Sequence, residues 1–201
     1  MGKIKLFFAA CLMWVSFTAP VVLGADVPGY FNSGNEFFNK GEYEKAIKEY
    51  SKAVAAKPDF TDAYYNRGFA YYRKGQYYEA IEDFNRVAPH YPKDAEVFHT
   101  RGLAYFRLMK YDMAVADFSS TIALKPDFAD AYQNRGVAYS RSGQYGRAIE
   151  DFDKAISLRP DYGDAYFSRG YAYVKKAAAD FVKVCGMGNQ KACDNLKQLS
   201  E

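Results

Sequence analysis

A repeating unit constrains this chain more than any other feature. Residues 130–161, DAYQNRGVAYSRSGQYGRAIEDFDKAISLRPD, align with residues 62–93, DAYYNRGFAYYRKGQYYEAIEDFNRVAPHYPK, without a gap, so the two segments stand two periods of 34 residues apart. Setting the first glycine of each copy at the eighth place divides the chain into units 27–60, 61–94, 95–128 and 129–162, with a truncated fifth at 163–185. A copy of this length is one supersecondary unit. It cannot bury its apolar face alone and must stack on its neighbours.

Four features recur in register. Gly34, Gly68, Gly102, Gly136 and Gly170 hold the eighth place, and Ala46, Ala80, Ala114 and Ala148 follow twelve residues later. Tyr50, Phe84, Phe118 and Phe152 come four further on, and Pro58, Pro92, Pro126 and Pro160 close the units. An aromatic at the fourth place (Tyr30, Tyr64, Phe98, Tyr132), the glycine, and an aromatic at the eleventh (Phe37, Tyr71, Tyr105, Tyr139) are spaced by four and three, which is one face of a helix, here termed helix A. After a turn containing Gly41, Gly75 or Gly143, a second helix, helix B, repeats the pattern with Tyr43, Ala46, Ile47 and Tyr50. Glycine and alanine allow the two helices to approach while aromatics fill the space around them. Nineteen Tyr and sixteen Phe are too many for one compact core, but a unit that spends several per copy accounts for them. Proline stops helix B because it lacks an N–H. The adjoining Asp59, Asp127 and Asp161 are expected to cap the next helix, with Asp62, Asp130 and Asp164 favouring its N-terminus.

These residues resemble the tetratricopeptide repeat, a helix–turn–helix of this period with Trp, Leu, Gly, Tyr, Ala, Phe, Ala and Pro at these places. The resemblance implies an all-α fold, a right-handed superhelical solenoid of such units with a C-terminal capping helix. The chain departs from the pattern by placing Tyr or Phe where Trp is common, and Arg67, Arg101, Arg135 and Arg169 where Leu is common. Those arginines occur in the units that carry Asp83, Asp117, Asp151 and, by the Asp-Phe match, Asp180, whereas the first unit has Ser33 and Glu49. An Arg–Asp ladder joining helix A to helix B, within a unit or between neighbours, is therefore predicted. A row of ligand-binding arginines is the alternative.

Two units break local rules. Met109 stands where the other turns have glycine, so that turn is not expected to use a left-handed conformation cheaply. Pro89 precedes Pro92 in unit two, so its helix B should end early and the stack should kink between residues 88 and 95. In unit five the turn residues are missing. Tyr166, Gly170, Tyr173, Ala177, Phe181 and Val184 are spaced by fours and threes, which predicts one long helix from about 164 to 184, with a tight helix pair as the alternative. Gly186 to Asn189 then breaks it, and Asn189 can start a capping helix over 189–200 with Ala192, Cys193, Leu196 and Leu199 on its apolar face.

Residues 1–24 have another character. Lys3 and Lys5 precede an almost purely apolar run from Leu6 to Leu23, and Val22-Leu23-Gly24 offers small residues for cleavage before Ala25-Asp26. This is the pattern of a secretory signal peptide, leaving 25–201 as the mature repeat domain with no stable membrane span; an uncleaved anchor is the alternative. Export to a periplasmic or extracellular compartment makes Cys185 and Cys193, on either side of the last turn, a candidate disulfide, with two buried thiols as the alternative. The segment VCGMGNQKAC also resembles disulfide-bearing relatives of this repeat, in which two cysteines at this spacing join consecutive helices. Closing a loop of about nine residues restricts the unfolded chain by roughly 2.6 kcal/mol in the entropy model. Removing Lys3 and Lys5 leaves 25 basic against 24 acidic residues, a net charge of +1, which argues against a nucleic-acid partner.

No catalytic constellation, metal-ligand spacing or phosphate loop stands out, so neither an enzymatic activity nor a cofactor is expected. His90 and His99 are nine apart with no supporting ligands. What remains is a surface. In tetratricopeptide repeats helix A lines a concave groove, and the resemblance places Phe31, Tyr65, His99, Gln133 and Phe167 (fifth place) and Asn35, Phe69, Leu103, Val137 and Tyr171 (ninth) on it. Phe38, Tyr72, Phe106, Ser140 and Val174 (twelfth) join them, with Asn39, Arg73, Arg107, Arg141 and Lys175 (thirteenth) as a basic edge. About half of these aromatics are expected to pack between helices instead. The two-carboxylate clamp of some family members is matched at Asn35 and Asn66 only, since Phe31, Glu96 and Thr100 occupy the places of its cations. The resulting expectation is an exported module that binds a protein or extended peptide with apolar anchors and acidic character. A self-associating structural scaffold of an envelope assembly, and hence a homo-oligomer, is the alternative.

Overall fold

The computed structural model describes residues 26–199, so the signal-like segment 1–24 lies outside the described residues. Among the described residues there are ten helices and no strand. α1 (Val27–Asn39) and α2 (Tyr43–Ala56) form the first helix pair, and α3 (Thr61–Lys74) and α4 (Tyr77–Val87) the second. α5 (Ala95–Arg107) pairs with α6 (Tyr111–Leu124), and α7 (Ala129–Arg141) with α8 (Tyr145–Leu158). α9 (Gly163–Gly186) is one continuous helix of 24 residues, and α10 (Gln190–Gln198) turns back onto it.

Each helix packs on the next in sequence, and α1, α3, α5, α7 and α9 also touch their odd-numbered neighbours. Among the described residues the even-numbered helices lie farther apart than the odd-numbered ones. Such a stack curves with helix A on the inside and helix B on the outside, which is the solenoid geometry. The pairing rests on size complementarity. A Cβ built on Gly136 would lie 2.7 Å from the ring of Phe152, and one on Gly102 would lie 2.9 Å from Phe118. Ala46, Ala80, Ala114 and Ala148 are fully buried beside those rings, so small residues on both helices admit one large side chain per unit.

The turns correct two expectations. Asp59, Asp127 and Asp161 do not cap α3, α7 and α9; the N-cap residues are Phe60, Phe128 and Tyr162, none of which makes a side-chain cap bond. The Pro-Asp pair is consumed in the preceding turn, where Phe60 N donates to Lys57 O at 3.0 Å. The cap position is thereby left to an aromatic that points inward, as Phe60 does against Phe31. Only the connection after unit two places an aspartate there: Asp94 accepts from Glu96 N at 2.9 Å and caps α5. In the third turn, Met109 adopts the left-handed conformation after all, with φ of +57° beside +74° to +84° at Gly41, Gly75 and Gly143. The turn hydrogen bonds explain it, since Lys110 N reaches Tyr105 O at 2.9 Å as Gln76 N reaches Tyr71 O. The helix pair imposes the turn, and Met109, 73% exposed, bears the steric cost. Helix B of unit two ends early at Pro89, α4 running for 11 residues where α2, α6 and α8 run for 14.

Candidate functional site

The seventh place of helix A sets Arg67, Arg101 and Arg135 against aromatic faces. Arg67 lies over Tyr64 and Tyr71, and Arg135 over Tyr132 and Tyr139. From there Nε and Nη2 of Arg67 both donate to Asp83 at 2.8 Å, and those of Arg101 to Asp117 at 2.8 and 2.7 Å. Arg135 meets Asp151 in the same bidentate way, at 2.8 and 2.7 Å. The third donor, Nη1, reaches back to the preceding unit: to Ser51 from Arg67, Asn85 from Arg101 and Ser119 from Arg135, at 2.9–3.1 Å. Each guanidinium thus joins helix B of its own unit to helix B of the unit before. Burial pushes the carboxyls of Asp83, Asp117 and Asp151 up, and the two bonds from arginine oppose that push. With side chains 15–19% exposed, these arginines have Nε, Nη1 and Nη2 all engaged within the stack.

The fourth pair is different. Arg169 does not meet Asp180, and its Nη1 instead donates to Asp153 on α8. The two residues lie on the same continuous helix, so no turn brings Asp180 back across to Arg169. Asp153 is the counterpart of Ser51, Asn85 and Ser119, so Arg169 keeps only the backward half of the bonding.

The groove residues divide by place. At the fifth, Phe31 packs on Tyr50 and Phe60 with centroids 5.9 and 4.9 Å away, and Tyr65 packs on Phe69 and Tyr91. His99 lies between Phe118 and Phe128 and shares a 3.0 Å hydrogen bond with Asn134 of α7; burial lowers its pKa. Gln133 is buried and donates to Ser168. At the ninth, Asn35 accepts from the Tyr50 hydroxyl at 2.8 Å and from Asn66 at 2.7 Å, Phe69 meets Phe84, and Leu103 packs against the α5–α6–α7 core. At the twelfth, Phe38, Tyr72 and Phe106 lie against Tyr43, Tyr77 and Tyr111, the residues that open each helix B. These side chains tie the stack together first and form a surface second. Arg73, Arg107 and Arg141 at the thirteenth place are exposed, with Asn39 and Lys175 continuing the row.

The fifth unit presents the same places uncovered, because among the described residues no further helix packs over its fifth place. Phe167 is 78% exposed, and Tyr171 and Val174 about half. A cleft of about 240 Å³ opens between α7, α8 and α9, with Val137, Phe167 and Tyr171 on its walls and Arg141 at its edge. Apolar walls with one cation suit an apolar side chain beside a carboxylate. At the chain end, Cys185 and Cys193 are joined by a disulfide across the turn, and the Asn189 side chain accepts from Ala192 N at 3.1 Å to cap α10. No helix among the described residues is long and apolar enough to cross a membrane.

The latch residues Ser51, Asn85, Ser119 and Asp153 escaped the sequence reading. The signal for them is the 16-residue offset from each arginine, the same in magnitude as that to the aspartate but opposite in direction.

Comparison with known proteins agrees with this architecture. A tetratricopeptide repeat profile matches residues 61–94 and 129–162, and a second TPR repeat profile matches residues 34–75. No curated protein matches the chain. Among solved structures it is similar to a crystal structure of MamA protein, at 28% identity over 86% of this chain and 89% of that one, with a TM-score of 0.72. A second MamA crystal structure shares 29% identity over 83% of this chain and 91% of that one, with a TM-score of 0.68. MamA 41-end from Desulfovibrio magneticus RS-1 is similar in fold, at 23% identity, 87% and 97% coverage and a TM-score of 0.71. The chain therefore carries tetratricopeptide repeats, and its described residues form a solenoid of them, the architecture of a protein–protein interaction module.

Proposed function

We propose that this chain is an exported, non-enzymatic binding module that takes an extended peptide segment, with apolar anchors and acidic side chains, along the inner face of its helix A stack. The observation that carries this reading is the cleft walled by Val137, Phe167 and Tyr171 beside Arg141, which continues the row of Arg73 and Arg107 at intervals of 34 residues. An extended chain rises by about 3.3 Å per residue, so alternate side chains of one peptide can seat in the cleft and pair along the row. Export is supported by the pattern of residues 1–24 and by the Cys185–Cys193 bridge, which suits an oxidising compartment.

The test is selection of peptides from a displayed random library on the chain recovered from the cell envelope, whose N-terminus should be Ala25. Acidic, aromatic-bearing peptides should be enriched. Changing Arg73, Arg107 and Arg141 together to Glu should weaken them at least ~10-fold with an unaltered helical spectrum, since each lost charge-assisted pair is worth about 1 kcal/mol or more. Equal binding by the triple variant would remove the groove from consideration. The second reading, a self-associating scaffold, is favoured by a different surface, the outer face of α9.

A further inference from the structure

The glycine face of helix A is filled in four units and bare in the fifth. Gly34, Gly68, Gly102 and Gly136 each lie against the aromatic ring sixteen residues on, whereas nothing stands within 4 Å of a Cβ built on Gly170. Tyr166 and Tyr173 flank Gly170 on that face and are 45% and 52% exposed. Arg169 is bonded backward to Asp153, and among the described residues no carboxylate takes the bidentate place that Asp83, Asp117 and Asp151 fill for its counterparts.

The residues that would fill both places are in the chain. Ala177-Ala178-Ala179-Asp180-Phe181 matches Ala148-Ile149-Glu150-Asp151-Phe152, the helix B motif of unit four, once the five residues equivalent to 143–147 are left out. Without them the motif continues α9 instead of folding back. Eleven residues of helix carry Phe181 about 16 Å beyond Gly170 and make just over three full turns, so the bare site and the unused motif lie on one face of one helix. Asp180 is exposed and has no ion-pair partner among the described residues, and Phe181 is only half-buried. α10, tied down by the Cys185–Cys193 bridge, packs on the C-terminal part of α9 as a following helix A packs on a helix B elsewhere.

We propose that a second copy of this chain covers this face, through an exchange of helix B motifs between two α9 helices crossing antiparallel about a two-fold axis near residue 175. Phe181 then seats on Gly170 of the partner subunit, and Asp180 pairs with Arg169 of the partner subunit. The register is that of the other units: the aspartate precedes the aromatic by one residue as the arginine precedes the glycine, and antiparallel helices bring both pairs together at once. The symmetry makes every contact twice, and a connection too short to fold back is a known route to exchange of an identical element. The surface is distinct from the groove, so the groove reading can fail without affecting it.

Sedimentation velocity over a range of concentrations tests the proposal on the full chain and two variants. Gly170→Leu meets open space in a single copy and the Phe181 ring in the pair. Insertion of Gly-Gln-Tyr-Gly-Arg, the residues of 143–147, between Lys176 and Ala177 lets the motif fold back onto its own Gly170. The unaltered chain should dimerise. Gly170→Leu should weaken the dimer at least ~30-fold while the monomer keeps its helical spectrum, and the insertion should give a monomer at every concentration. If Gly170→Leu perturbs the spectrum, the insertion variant alone decides. An unaltered chain that stays monomeric, a dimer that survives both changes, or a different protein bound at α9 in place of a second copy would each overturn the proposal.

Discussion

Unit four folds back on itself and unit five does not, although both carry the glycine, the arginine, the aspartate and the phenylalanine that make folding back favourable. The difference is the connection. Between α7 and α8 the chain has Gly143 at φ +79° and a bond from Gln144 N to Tyr139 O, whereas the corresponding stretch of α9 is Lys175-Lys176-Ala177-Ala178-Ala179, five strong helix formers in succession. Tertiary complementarity between two helices cannot act until a turn lets them meet. A local preference of a few tenths of a kcal/mol per residue therefore decides where the Phe181 ring goes.

Substitutions at matched positions sharpen that contrast. The largest effect is expected at the buried carboxylate: Asp151→Ala leaves Arg135 partly desolvated without its bidentate partner and should cost about 3 kcal/mol in urea unfolding. Asp180→Ala, measured at dilution, should cost less than ~0.5 kcal/mol. A large loss at Asp180 in dilute solution would mean that the two units are braced alike. Gly136→Leu forces a side chain into the Phe152 ring and should cost about 2–3 kcal/mol. Gly170→Leu at dilution should instead gain up to ~1 kcal/mol from helix propensity, so the same substitution changes sign between the units. The smallest change concerns the turn alone. Met109→Gly relieves a non-glycine residue of positive φ and should raise stability by about 1 kcal/mol, whereas Gly143→Met should lower it by a similar amount.

The repeat made most of the fold legible. The 34-residue period, the Gly–aromatic pairs sixteen apart and the early end of α4 at Pro89 all follow from residue type and spacing, because each is a constraint within one or two helices. The single α9 helix was also readable, since no breaker interrupts its spacing. Asp59, Asp127 and Asp161 were misplaced for a local reason: the Pro-Asp turn moves the cap one residue on, to an aromatic whose burial outweighs a capping bond. The Asp-Phe match points Asp180 at Arg169, but the turn that would carry it across is missing from α9. The groove is the least legible part. Periodicity puts Phe38, Tyr72 and Phe106 on the inner side of helix A but does not say that Tyr43, Tyr77 and Tyr111 already lie against them. What is left exposed there, chiefly Arg73, Arg107 and Arg141, emerges only when the neighbours are in place.

The backward bond from each arginine has a consequence for how the stack comes apart. In a linear array, stability is the sum of what each unit supplies and what each junction supplies. Arg67, Arg101 and Arg135 contribute to both quantities with one side chain, so a unit that loosens internally also releases the one before it, and opening propagates. The first unit stands outside this scheme, with Ser33 in place of an arginine. It is held by Arg67 through Ser51 but braces nothing itself. Cooperativity in this molecule therefore has a direction: opening runs toward α1, and loosening of the first unit alone releases no other.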